Sequence, residues 1–234
     1  MTEAGPALLD AVADESADSL FRVIGSDVRF RGRVWDVCTD EVELSADERV
    51  IRDVVRHPSA VAVLALDADD RVLIVRQYRH PVRSVLWELP AGLLDIAAEP
   101  PLEAARRELW EETHHEADTW SVLVDFFASP GMCNEAVRIY LATDVRPASG
   151  DRFARHGEER DMQVAWVPLE SLRDAVLAGH LHNPTLVTGT LATVATRAAP
   201  PSASGRVWGS APGESLRPAD APWPFGPRGR LERS

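Results

Sequence analysis

The sequence has few cysteines, no long apolar run and fewer basic than acidic residues. Cys38 and Cys133 lie far apart, which indicates free thiols in a reducing compartment rather than a disulfide framework or a zinc site. No apolar stretch approaches the roughly 20 residues that span a bilayer. The N-terminus is acidic and lacks the basic and apolar regions of a secretory signal, which predicts a cytoplasmic protein with no membrane partner.

The charge balance argues against nucleic acid as a partner. The chain of 234 residues carries a net charge of −12, which repels polyanions over most of its surface. A small anionic substrate is still compatible with this charge if a bound cation or local arginines reverse the sign in one pocket.

Composition and periodicity divide the chain into four parts. Residues 1–19 predict a flexible acidic arm, and the alternating pattern of 20–57 predicts a small antiparallel sheet of about three strands. Residues 58–198 predict the main domain, with a buried hairpin in 60–78 and a helix from about Leu102 to Thr113. Residues 199–234 are rich in proline and glycine, which predicts a tail that is disordered or loosely attached.

The stretch "RRELWEETHHEA", residues 106–117, contains three glutamates within five positions. On a helix, Glu108, Glu111 and Glu112 lie three or four residues apart and share one face. In water this costs only about 0.2–0.5 kcal/mol per pair, so a solvated acidic surface is one interpretation. In a pocket, a pair about 5–6 Å apart repels by about 3 kcal/mol, and the cluster needs a hard cation such as Mg²⁺, or Mn²⁺ as a substitute.

The surroundings of these glutamates resemble the Nudix hydrolase box, G-x5-E-x7-R-E-U-x-E-E-x-G-U, where U is a bulky apolar residue. The matching residues are Gly92, Glu99, Arg107, Glu108, Leu109, Glu111 and Glu112. The resemblance implies an α/β fold, the Nudix α/β/α sandwich with a mixed β-sheet, plus a small N-terminal antiparallel β subdomain. In this family the helix glutamates hold divalent metal against a diphosphate.

The chain departs from the box at two points. The loop from Gly92 to Glu99 is one residue longer, a feature of some family members that cleave ADP-ribose. His114 replaces the glycine that ends the helix, and His115 follows it. We interpret both histidines as surface residues rather than extra metal ligands. We expect a small loss of stability, because histidine tolerates a left-handed backbone less well than glycine.

The resemblance assigns the metal and catalytic roles to particular residues. Arg107 orients the acids through an ion pair. The base that activates water lies on the loop "HGEERDM", where Glu159 is the first candidate and Glu158 the second, and solvated loop acids are the alternative. The implied metal ligands are Glu108, Glu111, Glu112 and the backbone carbonyl of Ala91, with Glu108 and Glu112 also counted as catalytic.

Segments outside the box resemble the ADP-ribose pyrophosphatase branch, among them "RQYRHPV", "LWELPAGLLD" and "ASPGMCNEAVRIYLA", with Pro130 about 15 residues after the box. The implied substrate-binding residues are Trp35, Arg52, Arg79, Glu88, Gly131 and Glu135. Ordinary packing of Trp35, a surface salt bridge of Arg79 and an exposed Glu135 are alternatives. In this branch the N-terminal β segment forms a swapped homodimer and helps to hold adenine.

The sequence therefore predicts a Mg²⁺-dependent enzyme that hydrolyses ADP-ribose to AMP and ribose 5-phosphate and dimerises through residues 20–57. One alternative is the same chemistry on another nucleoside diphosphate sugar or on a dinucleotide. A second is a non-catalytic sensor of ADP-ribose or NAD, against which the complete set of acids argues.

Overall fold

The computed structural model describes residues 12–17, 20–154, 162–198 and 216–227. Its strands are β1 (Arg22–Arg31), β2 (Asp36–Ser45), β3 (Glu48–Arg56), β4 (Ala60–Leu66), β5 (Arg71–Arg79), β6 (Ser84–Glu88), β7 (Ala91–Leu93), β8 (His115–Phe127), β9 (Ala136–Pro147), β10 (Gln163–Pro168) and β11 (Arg217–Pro218). Its α-helices are α1 (Pro101–Thr113), α2 (Leu169–Leu177) and α3 (Pro184–Ala198), and a 3-10 helix covers His80–Val82. No helix in these ranges is both long enough and apolar enough to cross a membrane.

Strands β1, β2 and β3 form a separate antiparallel sheet, as the alternating pattern predicts. The amide of Gly32 closes the β1–β2 turn, donating to the Trp35 carbonyl at 3.1 Å and to Asp36 Oδ1 at 3.2 Å. A Cβ at position 32 would lie 2.3 Å from the Trp35 carbonyl oxygen, so only glycine fits there. The turn therefore fixes the main chain at Trp35.

The remaining strands build one mixed sheet in the order β10-β5-β4-β9-β8-β11, with β6 paired to β5 and β7 paired to β4. Strands β4 and β9 are parallel, with Ala60 opposite Val137. The apolar segments of the predicted hairpin form β4 and β5 and are buried at the centre. Because β4 and β9 are parallel, the segments that precede them, 57–59 and 128–135, emerge at the same end of the sheet.

Helices cover both faces of this sheet. Helix α1 packs Ala105 and Leu109 into one core cluster, and α2 and α3 pack Leu172 and Leu186 into the cluster on the opposite face. The predicted α/β/α sandwich with a mixed sheet is thereby confirmed, together with its separate N-terminal sheet.

Helix α1 begins and ends close to the predicted positions. Pro100 is the N-cap and Pro101 is the first helical residue, where the missing amide of proline costs no hydrogen bond. The helix ends at Thr113, and His114 adopts the left-handed conformation with φ 57° and ψ 42°. Its amide donates to the carbonyl of Trp110 at 2.8 Å. Histidine thus occupies the conformation for which glycine is the usual residue.

The C-terminal segment 216–227 packs against the sheet, where β11 pairs with β8. Arg138, which is 2% exposed, donates to the carbonyl oxygens of Ala221 at 2.8 Å and Pro222 at 3.1 Å. Its guanidinium also lies 4.7 Å from the ring centre of Trp223. In this part of the tail the structure differs from the prediction of disorder. The segment adds two carbonyl acceptors to a buried guanidinium that also forms a bidentate ion pair with Asp125.

Candidate active site

Arg107 lies at the centre of a charge cluster on α1. Its guanidinium donates to both carboxylate oxygens of Glu99 at 2.9 Å, to Glu108 Oε1 at 2.6 Å and to Glu111 Oε2 at 3.3 Å. Hydrogen bonds from Arg107 hold the pKa of Glu99 below its ordinary value, and the same bonds raise the pKa of Arg107. Both groups are therefore charged at neutral pH, and the arginine ties the loop that carries Glu99 to the acidic face of α1.

Strand β7 is in direct contact with this acidic face. Glu112 is 4% exposed, and its Oε2 accepts a hydrogen bond from the amide of Ala91 at 3.0 Å. Gly92 lies against Glu108, so that a Cβ at position 92 would be 1.9 Å from Glu108 Oε1. The absence of a side chain at Gly92 is what allows the two elements to approach this closely.

The donor atoms of the cluster suit a hard divalent cation. Glu108, Glu111 and Glu112 present carboxylate oxygens on one helix face, the ligand type that Mg²⁺ and Mn²⁺ prefer. Among the described residues, no three acidic, histidine or cysteine side chains converge closely enough to coordinate one ion. The three carboxylates nevertheless share one helix face, and each side chain has rotatable bonds. The residues therefore fit the predicted metal in their chemistry.

A second ion pair lies where β5 pairs with β6. Glu88 is 1% exposed and accepts two hydrogen bonds from Arg79, Nε to Oε1 at 2.9 Å and a terminal nitrogen to Oε2 at 2.6 Å. Gln77 donates to the same carboxylate at 3.4 Å. The Arg79 side chain is 42% exposed. The buried carboxylate of Glu88 therefore orients the guanidinium of Arg79, which reaches solvent. Glu88 lies three residues before β7 begins.

A cleft runs between β3 and the loop that precedes β9. Two predicted substrate-binding residues, Arg52 and Gly131, line it, although Arg52 also donates to the carbonyl of Ile51 at 2.9 Å. Open space surrounds Gly131, where a Cβ would meet no atom within 4 Å. The full lining is Arg52, Asp53, Val54, Phe127, Pro130, Gly131, Met132, Cys133 and Asn134.

Main-chain hydrogen bonds attach the N-terminal sheet to this loop. The amide of Val55 donates to the carbonyl of Met132 at 2.8 Å, and the Val55 carbonyl accepts from the amide of Asn134 at 3.2 Å. The amide of His57 donates to Asn134 Oδ1 at 2.7 Å. These hydrogen bonds therefore join the two segments that form the walls of the cleft.

Trp35 and Glu135 both lie near His57. The Trp35 ring stacks against the His57 imidazole, with centroids 5.9 Å apart and planes 28° apart, and Trp35 is 42% exposed. Glu135 Oε1 lies 3.7 Å from His57 Nδ1, and the Glu135 side chain is half-buried. Of the predicted substrate-binding residues, Arg52 and Gly131 thus line the cleft and Trp35 and Glu135 contact His57. Arg79 pairs with Glu88 beside β7.

Glu159 and its neighbour Glu158 belong to segment 155–161, which lies outside the described residues.

Sequence reasoning missed His57 and Asn134, which hold the cleft together. Each precedes a buried central strand, β4 or β9, by a few residues. A polar residue just before each of two apolar strands was the available signal, but its meaning depends on those strands being parallel neighbours, which periodicity does not indicate.

Comparison with known proteins agrees with this geometry. The chain is 42% identical over 176 residues to the ADP-ribose pyrophosphatase of Mycobacterium tuberculosis, covering 75% of this chain and 84% of that protein. It is 36% identical over 149 residues to the ADP-ribose pyrophosphatase of Bacillus subtilis, covering 64% and 79%. The crystal structure of an ADP compounds hydrolase superimposes with a TM-score of 0.61 at 22% identity, covering 74% of this chain and 91% of that one, and shows the same fold. The NUDIX domain family matches residues 56–186, and the chain therefore belongs to the Nudix family.

Proposed function

We propose that this protein is a Mg²⁺-dependent hydrolase that cleaves the diphosphate of ADP-ribose to give AMP and ribose 5-phosphate. The observation that carries the proposal is the acidic face of α1, held by Arg107 and in contact with β7 through Gly92. Two relatives, one 42% and the other 36% identical to this chain, are named ADP-ribose pyrophosphatase. Members of the Nudix family typically use a divalent metal, for which these carboxylates provide suitable oxygens.

The metal would be held by side chains of α1 and the main chain of β7. When bound, Mg²⁺ lowers the pKa of a water molecule and neutralises charge on the phosphoryl oxygens, and Mn²⁺ can take its place. Arg107 would hold these carboxylates in place through its hydrogen bonds with Glu99, Glu108 and Glu111. The proposed ligands are Glu108, Glu111, Glu112 and the carbonyl of Ala91.

The proton of the attacking water would pass to Glu159, with Glu158 as the second candidate. A carboxylate within hydrogen-bond reach of the water serves as a general base, and both residues belong to the polar stretch "HGEERDM". Changing Glu159 to Gln is expected to lower kcat by about 100-fold or more and to leave metal affinity unchanged. An unchanged kcat would remove Glu159 from the mechanism.

The substrate would bind between the two groups of residues described above. Trp35 offers a partly exposed ring for the adenine, and Arg52 offers a cation on the adjacent wall. Arg79, oriented by Glu88, suits the diphosphate. Gly131 and Glu135 would border the ribose.

A homodimer through the N-terminal sheet is also part of the proposal. Phe30 and Ile51 are each 61% exposed. Phe30 lies opposite Val37 and Ile51 lies opposite Glu41 on β2. Val37 and Glu41 are four residues apart on one strand, so the side chains of Phe30 and Ile51 project from the same face of the sheet. The same face also carries charged residues such as Glu41 and Arg49, and exposed apolar side chains rimmed by polar residues are typical of an interaction surface. Sedimentation velocity should give a dimer for the wild type and a monomer for Ile51→Asp; a wild-type monomer would contradict this.

Incubation of the purified protein with Mg²⁺ and a panel of nucleoside diphosphate sugars and dinucleotides tests the reaction. AMP and ribose 5-phosphate from ADP-ribose are expected as the preferred products. Glu112→Gln should abolish turnover with an unchanged melting temperature. Glu103→Gln is the matched control, because Glu103 is an exposed acid on the same helix that pairs with Arg106. Binding of ADP-ribose without turnover under any divalent metal would instead indicate a sensor.

A further inference from the structure

His57 is a buried side chain for which the proposed reaction has no direct use. It is 8% exposed and lies between β3 and β4, at the junction of the two sheets. One side of the imidazole faces Trp35, at a centroid separation of 5.9 Å. The histidine therefore supports the ring that the proposed function assigns to adenine.

The imidazole also holds Ser59 in a strained conformation. The amide of Ser59 donates to His57 Nδ1 at 3.1 Å, so Nδ1 is the acceptor and the proton lies on Nε2. Ser59 is fully buried and has a φ of 75°, in the left-handed region that residues other than glycine rarely adopt. Such a conformation persists only where its surroundings determine it, and His57 is one of the groups that do so.

Ser59 in turn contacts both halves of the proposed site. Its carbonyl accepts from the amide of Leu94, directly after β7, at 3.1 Å. Its hydroxyl accepts a hydrogen bond from the amide of Ala136 at 3.2 Å. Ala136 directly follows segment 128–135, the loop that forms one wall of the cleft and is called the cleft loop below. A chain of hydrogen bonds therefore runs from His57 through Ser59 to the segment on the metal side and to the segment on the substrate side.

We infer that His57 is a positioning residue for the proposed reaction: its ring supports Trp35, and its Nδ1 fixes Ser59 and through it β7 and the cleft loop. This inference rests on the proposed function for the substrate. Two variants separate the two contacts. His57→Phe keeps an aromatic ring but removes the acceptor for Ser59, whereas His57→Asn keeps an acceptor near Nδ1 but removes the ring.

Steady-state kinetics with ADP-ribose and Mg²⁺ provides the test. His57→Asn should raise KM by about 2- to 12-fold, the range of an aromatic pair, with kcat within about twofold. His57→Phe should keep KM within about twofold but lower kcat by more than about twofold, because Ser59 no longer fixes β7, and should lower the melting temperature more than His57→Asn does. His182→Asn is the matched control, since His182 is exposed, and it should change neither quantity. Equal effects of the two His57 variants on KM would overturn the inference.

A double-mutant cycle with Trp35→Ala adds a readout that general destabilisation does not imitate. Because the ring of His57 acts through Trp35, the Trp35→Ala/His57→Asn protein should have the KM of Trp35→Ala alone. Additive effects would contradict the inference. Calorimetric titration with AMP repeats the cycle without turnover. Absence of ADP-ribose hydrolysis by the wild type would defeat the proposed function, whereas a lack of coupling in AMP binding would defeat the role of His57.

Discussion

Replacement of Gly92 by alanine tests the close contact between β7 and the acidic face of α1, because it adds a methyl group at the point where the two elements meet. The new methyl carbon would lie 1.9 Å from Glu108 Oε1, 2.0 Å from Cδ and 2.4 Å from Cγ. An ordinary contact begins near 3.4 Å, so the carboxylate must move from 1.9 Å to at least 3.4 Å, a shift of about 1.5 Å. The side chain is flexible and can turn away without moving the backbone of α1.

The cost to folding should be small and the cost to activity large. The shift breaks the half-buried bond between Glu108 and Arg107, which is worth about 1 kcal/mol in a partly exposed pair. Displacement of a catalytic group by about 1 Å costs on the order of 100-fold in rate. We therefore expect kcat for ADP-ribose to fall about 100-fold and the Mg²⁺ concentration for half-maximal activity to rise.

Initial rates over a Mg²⁺ series and thermal melts of the same preparations measure both quantities. Gly25→Ala is the matched control, because a Cβ there meets its nearest atoms at an ordinary 3.7 Å. Unchanged kcat in a folded Gly92→Ala protein would show that the position of the Glu108 carboxylate does not matter for catalysis. Loss of the fold would contradict the expected small cost to folding.

Arg107→Gln should lower the free energy of unfolding by about 1–3 kcal/mol at pH 7, against less than about 1 kcal/mol for the exposed Arg106→Gln. Arg107 depresses the pKa of Glu99 in the folded state. The stability that this ion pair contributes is therefore present above about pH 4.3 and is lost as the pH falls further. If urea titrations show that the difference in unfolding free energy between the wild type and Arg107→Gln grows on acidification, this explanation is wrong. His114→Gly should raise the melting temperature, since glycine adopts a φ of 57° without the penalty of about 1 kcal/mol that a side chain incurs, and a fall would refute that account. Arg138→Leu should destabilise by about 3 kcal/mol and make segment 216–227 sensitive to limited proteolysis, whereas an uncleaved segment would show that other contacts suffice.

The parts of the structure that sequence predicted are those set by local patterns. Helix α1 was predicted from about Leu102 to Thr113 and covers Pro101–Thr113, because a first-turn proline and the apolar spacing act within a few residues. The acidic face follows from the helical period alone. The left-handed backbone of His114 agrees with the resemblance to the Nudix box, which places a helix-ending glycine at that position.

Contacts between distant segments were not predicted, because they depend on strand register and packing. The pairing of Arg79 with Glu88 requires the β5–β6 register, and the stacking of Trp35 on His57 requires the turn at Gly32. Composition predicted a disordered tail, yet Arg138 binds carbonyl groups 83 and 84 residues further along the chain. No local pattern indicates that a buried guanidinium in β9 needs those acceptors.

Anomalous diffraction from crystals grown with Mn²⁺ and a non-hydrolysable ADP-ribose analogue tests the central claim most directly. The account predicts manganese peaks bounded by the carboxylates of Glu108 and Glu112 and the carbonyl of Ala91, with the diphosphate of the analogue against them. An analogue bound in the crystal with no manganese at these oxygens, or with Glu108 and Glu112 directed into bulk solvent, would contradict it.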